Sequence, residues 1–109
     1  MSLLLAIDPG PVESAYVLID AETCRPHEVG KVPNTELLDY LGRLPDSTDL
    51  AAIEMIASYG MPVGREVFET CVWIGRYVQC LDDGGTITVR TPRQPVKLHH
   101  CHSARATDA

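Results

Sequence analysis

The stretch Leu3-Leu4-Leu5-Ala6-Ile7-Asp8-Pro9-Gly10 is a short apolar run that ends in a carboxylate and a Pro-Gly turn. An apolar run of this length, bounded by turn residues, is typical of a buried β-strand. Its last side chain, Asp8, then lies at the rim of a sheet, where α/β folds place ligand and metal sites. The alternative is that Asp8 only begins a turn, so its role depends on the partners that the rest of the chain supplies.

Size and composition predict one small globular domain. The 109 residues are enough for a single core, and the apolar fraction of 45% is ordinary for such proteins. No apolar run approaches the roughly 18 to 20 residues of a membrane span, and the start Met-Ser-Leu-Leu-Leu lacks the basic segment of a secretory signal. We therefore expect a cytoplasmic protein without membrane contact, whose four cysteines are free thiols.

The charge balance is acidic, with 9 Lys and Arg against 15 Asp and Glu and a formal net charge of −6. A protein that simply coats nucleic acid would be strongly basic. An enzyme that binds nucleic acid through a local basic patch and keeps its acidic residues for metal remains compatible with this balance.

The pattern along the chain predicts an α/β fold with the element order β-β-β-α-β-α-β. Three strands in quick succession indicate an antiparallel meander, and a helix before the fourth strand implies a crossover and parallel pairing. The strands are predicted at 3–8, 13–20, 27–32, 50–55 and 86–90, and the helices at 34–44 and 65–81.

Two details of the helices can also be predicted. Asn34 or Thr35 is expected to cap the first helix, because both residue types accept hydrogen bonds from free N–H groups at a helix start. One face of the second helix is expected to hold the apolar residues Val67, Cys71, Ile74 and Val78, with Phe68 and Val72 beside it, and the sequence does not separate a core face from a dimer face.

A second carboxylate, Glu54, closes the apolar run Leu50-Ala51-Ala52-Ile53. If this strand neighbours the first, Asp8 and Glu54 reach the same rim of the sheet. Two hard oxygen ligands on rigid elements suit Mg²⁺ or Mn²⁺, which can activate water and stabilise the leaving oxygen of a phosphodiester. The alternative is two strand-end acids with unrelated roles.

Several segments resemble the RuvC-type Holliday-junction resolvases of the ribonuclease H-like superfamily. Ala6-Ile7-Asp8-Pro9-Gly10 resembles the opening of that family, Ala52-Ile53-Glu54 is similar to its second acidic strand, and Pro95-Val96-Lys97 resembles its basic segment. The stretch from Gly60 to Tyr77 looks like phage-encoded and other uncharacterised RuvC-like proteins. The resemblance covers most of the chain and implies one domain over 1–109, with a mixed five-stranded sheet flanked by helices.

The resemblance implies that Asp8 and Glu54 are metal-binding catalytic carboxylates and that Lys97 contacts phosphate. It further implies a Mg²⁺- or Mn²⁺-dependent endonuclease that acts on branched DNA in recombination and repair. Because a four-way junction has two-fold symmetry and needs paired cuts, a homodimer is expected.

The family completes its site with acidic residues on a late helix, and the chain ends at Ala109 before such a helix can form. We therefore expect a C-terminally truncated relative that lacks the last helix. A catalytically incomplete nucleic-acid-binding or scaffold protein is the main alternative. A phosphate binder of the ATPase type, using Asp8-Pro9-Gly10, ranks last because that fold needs a longer chain.

Other residues are candidates for contact with nucleic acid. Arg65, Arg93, Lys97 and Arg105 could hold phosphates without reading sequence, and Tyr59 could stack on an unpaired base. The alternatives are solvated surface charges and an aromatic that covers the core. The tract His99-His100-Cys101-His102 does not predict zinc, because adjacent side chains on an extended chain point to opposite faces and no Cys-x-x-Cys pair completes a site.

Overall fold

The chain forms a five-stranded mixed sheet with two helices, and the computed structural model describes residues 2–55 and 64–92. Both the α/β class and the order of the elements confirm the sequence prediction. The elements are β1 (Leu3–Asp8), β2 (Glu13–Asp20), β3 (Pro26–Pro33), α1 (Asn34–Leu41), β4 (Thr48–Met55), α2 (Arg65–Asp83) and β5 (Ile87–Pro92). No helix within the described ranges is long and apolar enough to cross a membrane.

The strands lie in the order β3-β2-β1-β4-β5. The pairs β1–β2 and β2–β3 are antiparallel, because short turns join their strands. The pairs β1–β4 and β4–β5 are parallel, because a helix lies in each connection that leads to a parallel neighbour. β1 therefore lies in the middle of the sheet.

The core lies between one face of the sheet and both helices. Leu3, Leu5 and Ile7 alternate along β1, are almost fully buried and contact the helices. The same core includes residues from every other described element except β3 and β5, namely Leu18, Leu37, Leu41, Ala51, Ile53, Ile74, Tyr77 and Leu81. Residues between these positions point to the other face, which neither α1 nor α2 covers. We call it the open face.

The open face carries small and apolar side chains in register across the sheet. Ala6 is paired with Val17 on β2 and with Ala52 on β4, and Ala52 is paired with Val89 on β5. Val89 is partly exposed to solvent. Asp8, the last residue of β1, and Glu54, the last but one of β4, alternate with the core residues and belong to this face.

The first helix starts differently from the prediction. Pro33 occupies the N-cap position, and no side chain caps the helix. Asn34 is the first helical residue, and its side chain is buried in hydrogen bonds to another part of the chain. The predicted caps Asn34 and Thr35 are therefore wrong. The helix also ends at Leu41, although Leu44 beyond it still packs against the core.

The buried stripe of α2 matches the predicted apolar face at Ile74, with Val78 packed against the core, and is otherwise shifted by about one residue. Its buried residues are Thr70, Ile74, Tyr77 and Leu81, whereas Cys71 is exposed. Thr70 and Tyr77 can be buried because their hydroxyl groups make hydrogen bonds, to the Glu66 carbonyl oxygen and to Ser14 respectively. A pattern of apolar residues alone misses such positions.

Candidate functional site

Asp8 and Glu54 lie side by side at one edge of the sheet. Ile7 and Ile53 are register partners across the parallel β1–β4 pair, and each acid follows its isoleucine directly. Neighbouring strands are about 4.8 Å apart, so the two acids share one edge and one face, with their backbones roughly 5 Å apart. Asp8 is exposed and Glu54 is half-buried.

The sheet holds both acids in place. The strands of the two acids are neighbours, and each acid also has a partner on its other side. Asp8 is paired with Ala15 on β2, and Glu54 is paired with Thr91 on β5. Each acid thus lies on a strand with a neighbour on both sides. Side chains on such strands are held more precisely than side chains on loops.

The turn after Asp8 is fixed by a group of buried hydrogen bonds, which we call the Ser14 network. The Ser14 hydroxyl donates to Oδ1 of Asn34 at 2.6 Å, accepts from the Gly10 N–H at 3.3 Å and lies 3.0 Å from the Tyr77 hydroxyl. The Asn34 amide donates to the Gly10 carbonyl oxygen at 2.9 Å. Because the single Ser14 proton goes to Asn34, Tyr77 donates to Ser14 and every bonding capacity of Ser14 is used.

The Ser14 network is shielded from water and joins three elements. Ser14 and Asn34 are each 1% exposed and Tyr77 is fully buried. Burial raises the pKa of Tyr77, although the hydrogen bond with Ser14 acts in the opposite direction, so the hydroxyl stays protonated near neutral pH and can donate. The turn beside Asp8 is thereby attached to β2, α1 and α2 at once.

Gly10 itself is required by the turn. A Cβ at this position would clash with the carbonyl oxygen of Glu13, which is backbone and cannot turn away. The Asn34 N–H closes the turn from the other side, through a 2.9 Å hydrogen bond to the carbonyl oxygen of Val12.

A cleft of about 390 Å³ opens beside Asp8 on the β2–β3 side. We call it the Asp8 cleft. Its lining includes Asp8, Gly10, Glu13, Ala15 and Lys31. Lys31 carries no local sequence signal for this site, because only the register of β3 brings the residue near Asp8.

The two carboxylates fit a divalent cation by their chemistry. Mg²⁺ is usually held by one or two carboxylates together with water and phosphate oxygens, and Asp8 and Glu54 supply two. Within residues 2–55 and 64–92, no group of three or more His, Cys, Asp or Glu side chains is placed to hold a metal. The described residues therefore bring together two carboxylates of the kind that Mg²⁺ prefers and no third ligand of these types.

Of the other predicted site residues, Arg65 begins α2 and forms an ion pair with Glu69 at 2.8 Å. The remaining ones lie outside the described residues. These are Tyr59, Arg93, Lys97 and Arg105, together with the tract His99 to His102 and the region after Pro92 in which a late helix is predicted to be missing. The cysteines that the structure describes, Cys24, Cys71 and Cys80, are free thiols as expected.

Comparison with known proteins finds similar solved structures. No family model matches the sequence, and no curated protein matches it. The structure is similar to RuvC of Thermus thermophilus in complex with a Holliday junction substrate, with a TM-score of 0.74 and 13% identity over 93% of this chain and 71% of the other. A second Thermus thermophilus RuvC structure gives a TM-score of 0.72 and 14% identity, over 97% and 73%.

A third solved structure is less similar. YeaZ from Pseudomonas aeruginosa gives a TM-score of 0.53 and 15% identity, over 94% of this chain and 51% of that one. Identities this low establish the fold alone. The chain has the mixed five-stranded α/β fold, flanked by helices, of the RuvC and ribonuclease H-like structures.

Proposed function

We propose that the protein is a divalent-metal-dependent endonuclease that acts on branched DNA, as RuvC-type resolvases do. The observation that supports this most is the position of Asp8 and Glu54, side by side on one face and one edge of the central strands. The same fold occurs in a RuvC bound to a Holliday junction substrate. We extend the proposal to a cytoplasmic homodimer that serves DNA recombination and repair.

In this proposal, Asp8 and Glu54 would hold Mg²⁺ or Mn²⁺, which when bound activates water and stabilises the leaving oxygen of a phosphodiester. The chain's own contribution is precise placement. The ladders of β1 and β4 fix the two carboxylates, and the Ser14 network fixes the turn that follows Asp8. Arg93, Lys97 and Arg105 are proposed to contact phosphates, and Tyr59 is proposed to stack on an unpaired base.

A catalytically incomplete relative that binds nucleic acid or serves as a scaffold is the second candidate. It is favoured by the small number of ligands, since the described residues bring two carboxylates together and no third His, Cys, Asp or Glu. A protein of this kind would bind a junction without cutting it.

The test is a cleavage assay on a synthetic four-way junction with Mg²⁺ or Mn²⁺. We expect paired cuts from the wild type, and a rate at least about 100-fold lower for Asp8→Asn and Glu54→Gln, since even groups that only support a metal ligand can cost that much. Asp49→Asn is the matched control, because Asp49 is an exposed acid near the opposite end of β4.

The outcomes separate the two candidates. Cutting that is lost in Asp8→Asn and Glu54→Gln but kept in Asp49→Asn supports the nuclease. Junction binding without cutting by the wild type supports the incomplete relative. Equal cutting by all four proteins would show that Asp8 and Glu54 are not the active site.

A further inference from the structure

Asp8 and Lys31 lie in one row across the open face of the sheet. Asp8 on β1 is paired with Ala15 on β2, and Ala15 is paired with Lys31 on β3. Cross-strand partners share a face, so all three side chains point to the same side. Two strand spacings separate the backbones of Asp8 and Lys31, which is about 10 Å.

The space between the two charges is open. The residue between them, Ala15, has a side chain of a single methyl group. The Asp8 cleft, about 390 Å³, lies here and is lined by Asp8, Ala15 and Lys31 among others. A lysine side chain is long and flexible enough to extend over such a cleft toward a bound anion.

Lys31 is already in contact with one acid, but this contact is easily exchanged. Its Nζ lies 3.6 Å from Oε1 of Glu13, which is its diagonal neighbour on the same face. Both side chains are more than half exposed, at 67% and 54%. Exposed ion pairs contribute little in water, so a phosphate could replace Glu13 at small cost.

Three other described cations contact side chains of the helices. Arg43, which follows α1, pairs with Asp39 within that helix. Arg65 pairs with Glu69 on α2. Arg76 lies over the ring of Trp73, also on α2. Of the Lys and Arg residues in the part of the chain that the structure describes, Lys31 is the one that lines the Asp8 cleft.

We propose that the Asp8 cleft is a subsite for the nucleic-acid backbone, in which Lys31 binds a phosphate next to the one at Asp8, and that Glu13 competes with this phosphate for Lys31. The inference rests on the proposed function, because it assumes a nucleic-acid strand at Asp8. It adds a contact on the β3 side that is independent of metal.

The first test measures how junction binding depends on salt, by fluorescence anisotropy over roughly 50–200 mM salt. The buffer contains EDTA, so no cleavage intervenes and nuclease activity is not part of the readout. We expect Lys31→Gln to reduce the slope of log K against log salt by about 1, the contribution of one phosphate contact. Arg25→Gln is the control, since it removes the same charge from an exposed site in the turn between β2 and β3.

The second test addresses Glu13. We expect Glu13→Gln to strengthen junction binding by up to about five-fold. This is the change in affinity that corresponds to the free energy of an exposed ion pair. In the Lys31→Gln background the gain in affinity should be smaller, because Glu13 then has no lysine to withhold from the phosphate. Thermal unfolding of each variant checks that the fold is retained.

The outcomes for this subsite differ from those for the proposed function. A lower slope for Lys31→Gln than for Arg25→Gln supports the subsite. Identical slopes for the two variants overturn it and leave the nuclease proposal standing, and an equal Glu13→Gln gain in both backgrounds overturns the competition. A wild type that binds no junction, in EDTA or in Ca²⁺, overturns the proposed function together with the subsite.

Discussion

At the scale of single residues, Ser14 connects the turn beside Asp8 to both helices. Its hydroxyl has one proton and two lone pairs, and Asn34, Gly10 and Tyr77 use all of them. A buried polar group that loses such a partner cannot turn to water instead. Ser14 should therefore affect stability far more than its size suggests.

We expect Ser14→Ala to lower the free energy of unfolding by about 1–3 kcal/mol, because it leaves buried groups of Asn34 and Tyr77 without their hydrogen bond. Tyr77→Phe should cost less, about 1 kcal/mol, since Ser14 keeps its bonds to Asn34 and Gly10. Urea denaturation measures both values.

Ser2→Ala is the matched control for the Ser14 prediction. Its hydroxyl also makes a hydrogen bond, to Asp49 at 2.9 Å, but in an exposed position. We expect a change within about 0.5 kcal/mol. If Ser14→Ala were no more destabilising than Ser2→Ala, the Ser14 network would not hold the turn.

The residues of this network show where prediction from sequence stops. Asp8 and Glu54 could be found because each ends an apolar strand, which is a local signal. Asn34 was assigned the wrong role because Asn before an apolar helix locally indicates a cap, and its actual partner, Ser14, is 20 residues away. Lys31 was missed because its position depends on the register of three strands.

At the scale of elements, Gly10 and Gly75 show how the same substitution can have opposite effects. Gly75 lies within α2, and a Cβ there would have no neighbour within 4 Å. A Cβ on Gly10 would meet the backbone of Glu13 in the turn between β1 and β2. An added Cβ therefore fits at Gly75 without any change, whereas at Gly10 the backbone would have to move.

We expect Gly75→Ala to raise the free energy of unfolding by roughly 0.5–1 kcal/mol, because alanine favours the helix and restricts the unfolded chain. Gly10→Ala should lower it by about 1–3 kcal/mol through overpacking. Chemical denaturation of the two variants gives both signs, and stabilisation by Gly10→Ala would contradict the turn geometry described above.

Strands were easier to predict than helix faces. β2 begins and ends where the sequence indicates, since alternation and turn residues mark both ends. The face of α2 was misplaced because Thr70 and Tyr77 are buried through their hydrogen bonds, and a scan for apolar residues does not count them.

At the scale of the whole molecule, one side of α2 is a candidate surface for the proposed homodimer. Phe68 and Val72 are neighbours on the helix and are 63% and 58% exposed. We expect the double variant Phe68→Ser/Val72→Ser to be monomeric in sedimentation velocity while the wild type is a dimer. The fold should be retained, because both side chains are largely outside the core.

Val29→Ser is the control for the dimer prediction, since Val29 is similarly exposed, at 64%, but lies on β3 at the edge of the sheet. It should leave the oligomeric state unchanged. A wild type that sediments as a monomer at all concentrations would contradict the homodimer, and loss of the dimer in Val29→Ser would place the contact elsewhere.

The overall topology could be predicted because connection lengths limit how strands pair. Short turns led to the antiparallel β1–β2–β3 meander, and the helix before β4 led to its parallel place beside β1. The strand order in turn brought Asp8 and Glu54 together. The rest of the candidate site depends on contacts between distant segments, and a local sequence pattern does not predict such contacts.

The separation of Ser14 and Tyr77 by 63 residues has a consequence for how the protein is made. On the ribosome, β1, β2 and β3 emerge first and can pair while α2 is still being synthesised. A nascent chain that has reached β4 already contains both carboxylates, yet the turn beside Asp8 lacks the tyrosine that completes its bonds. The candidate site is therefore finished only when α2 has been translated and has docked, which makes it a late product of folding.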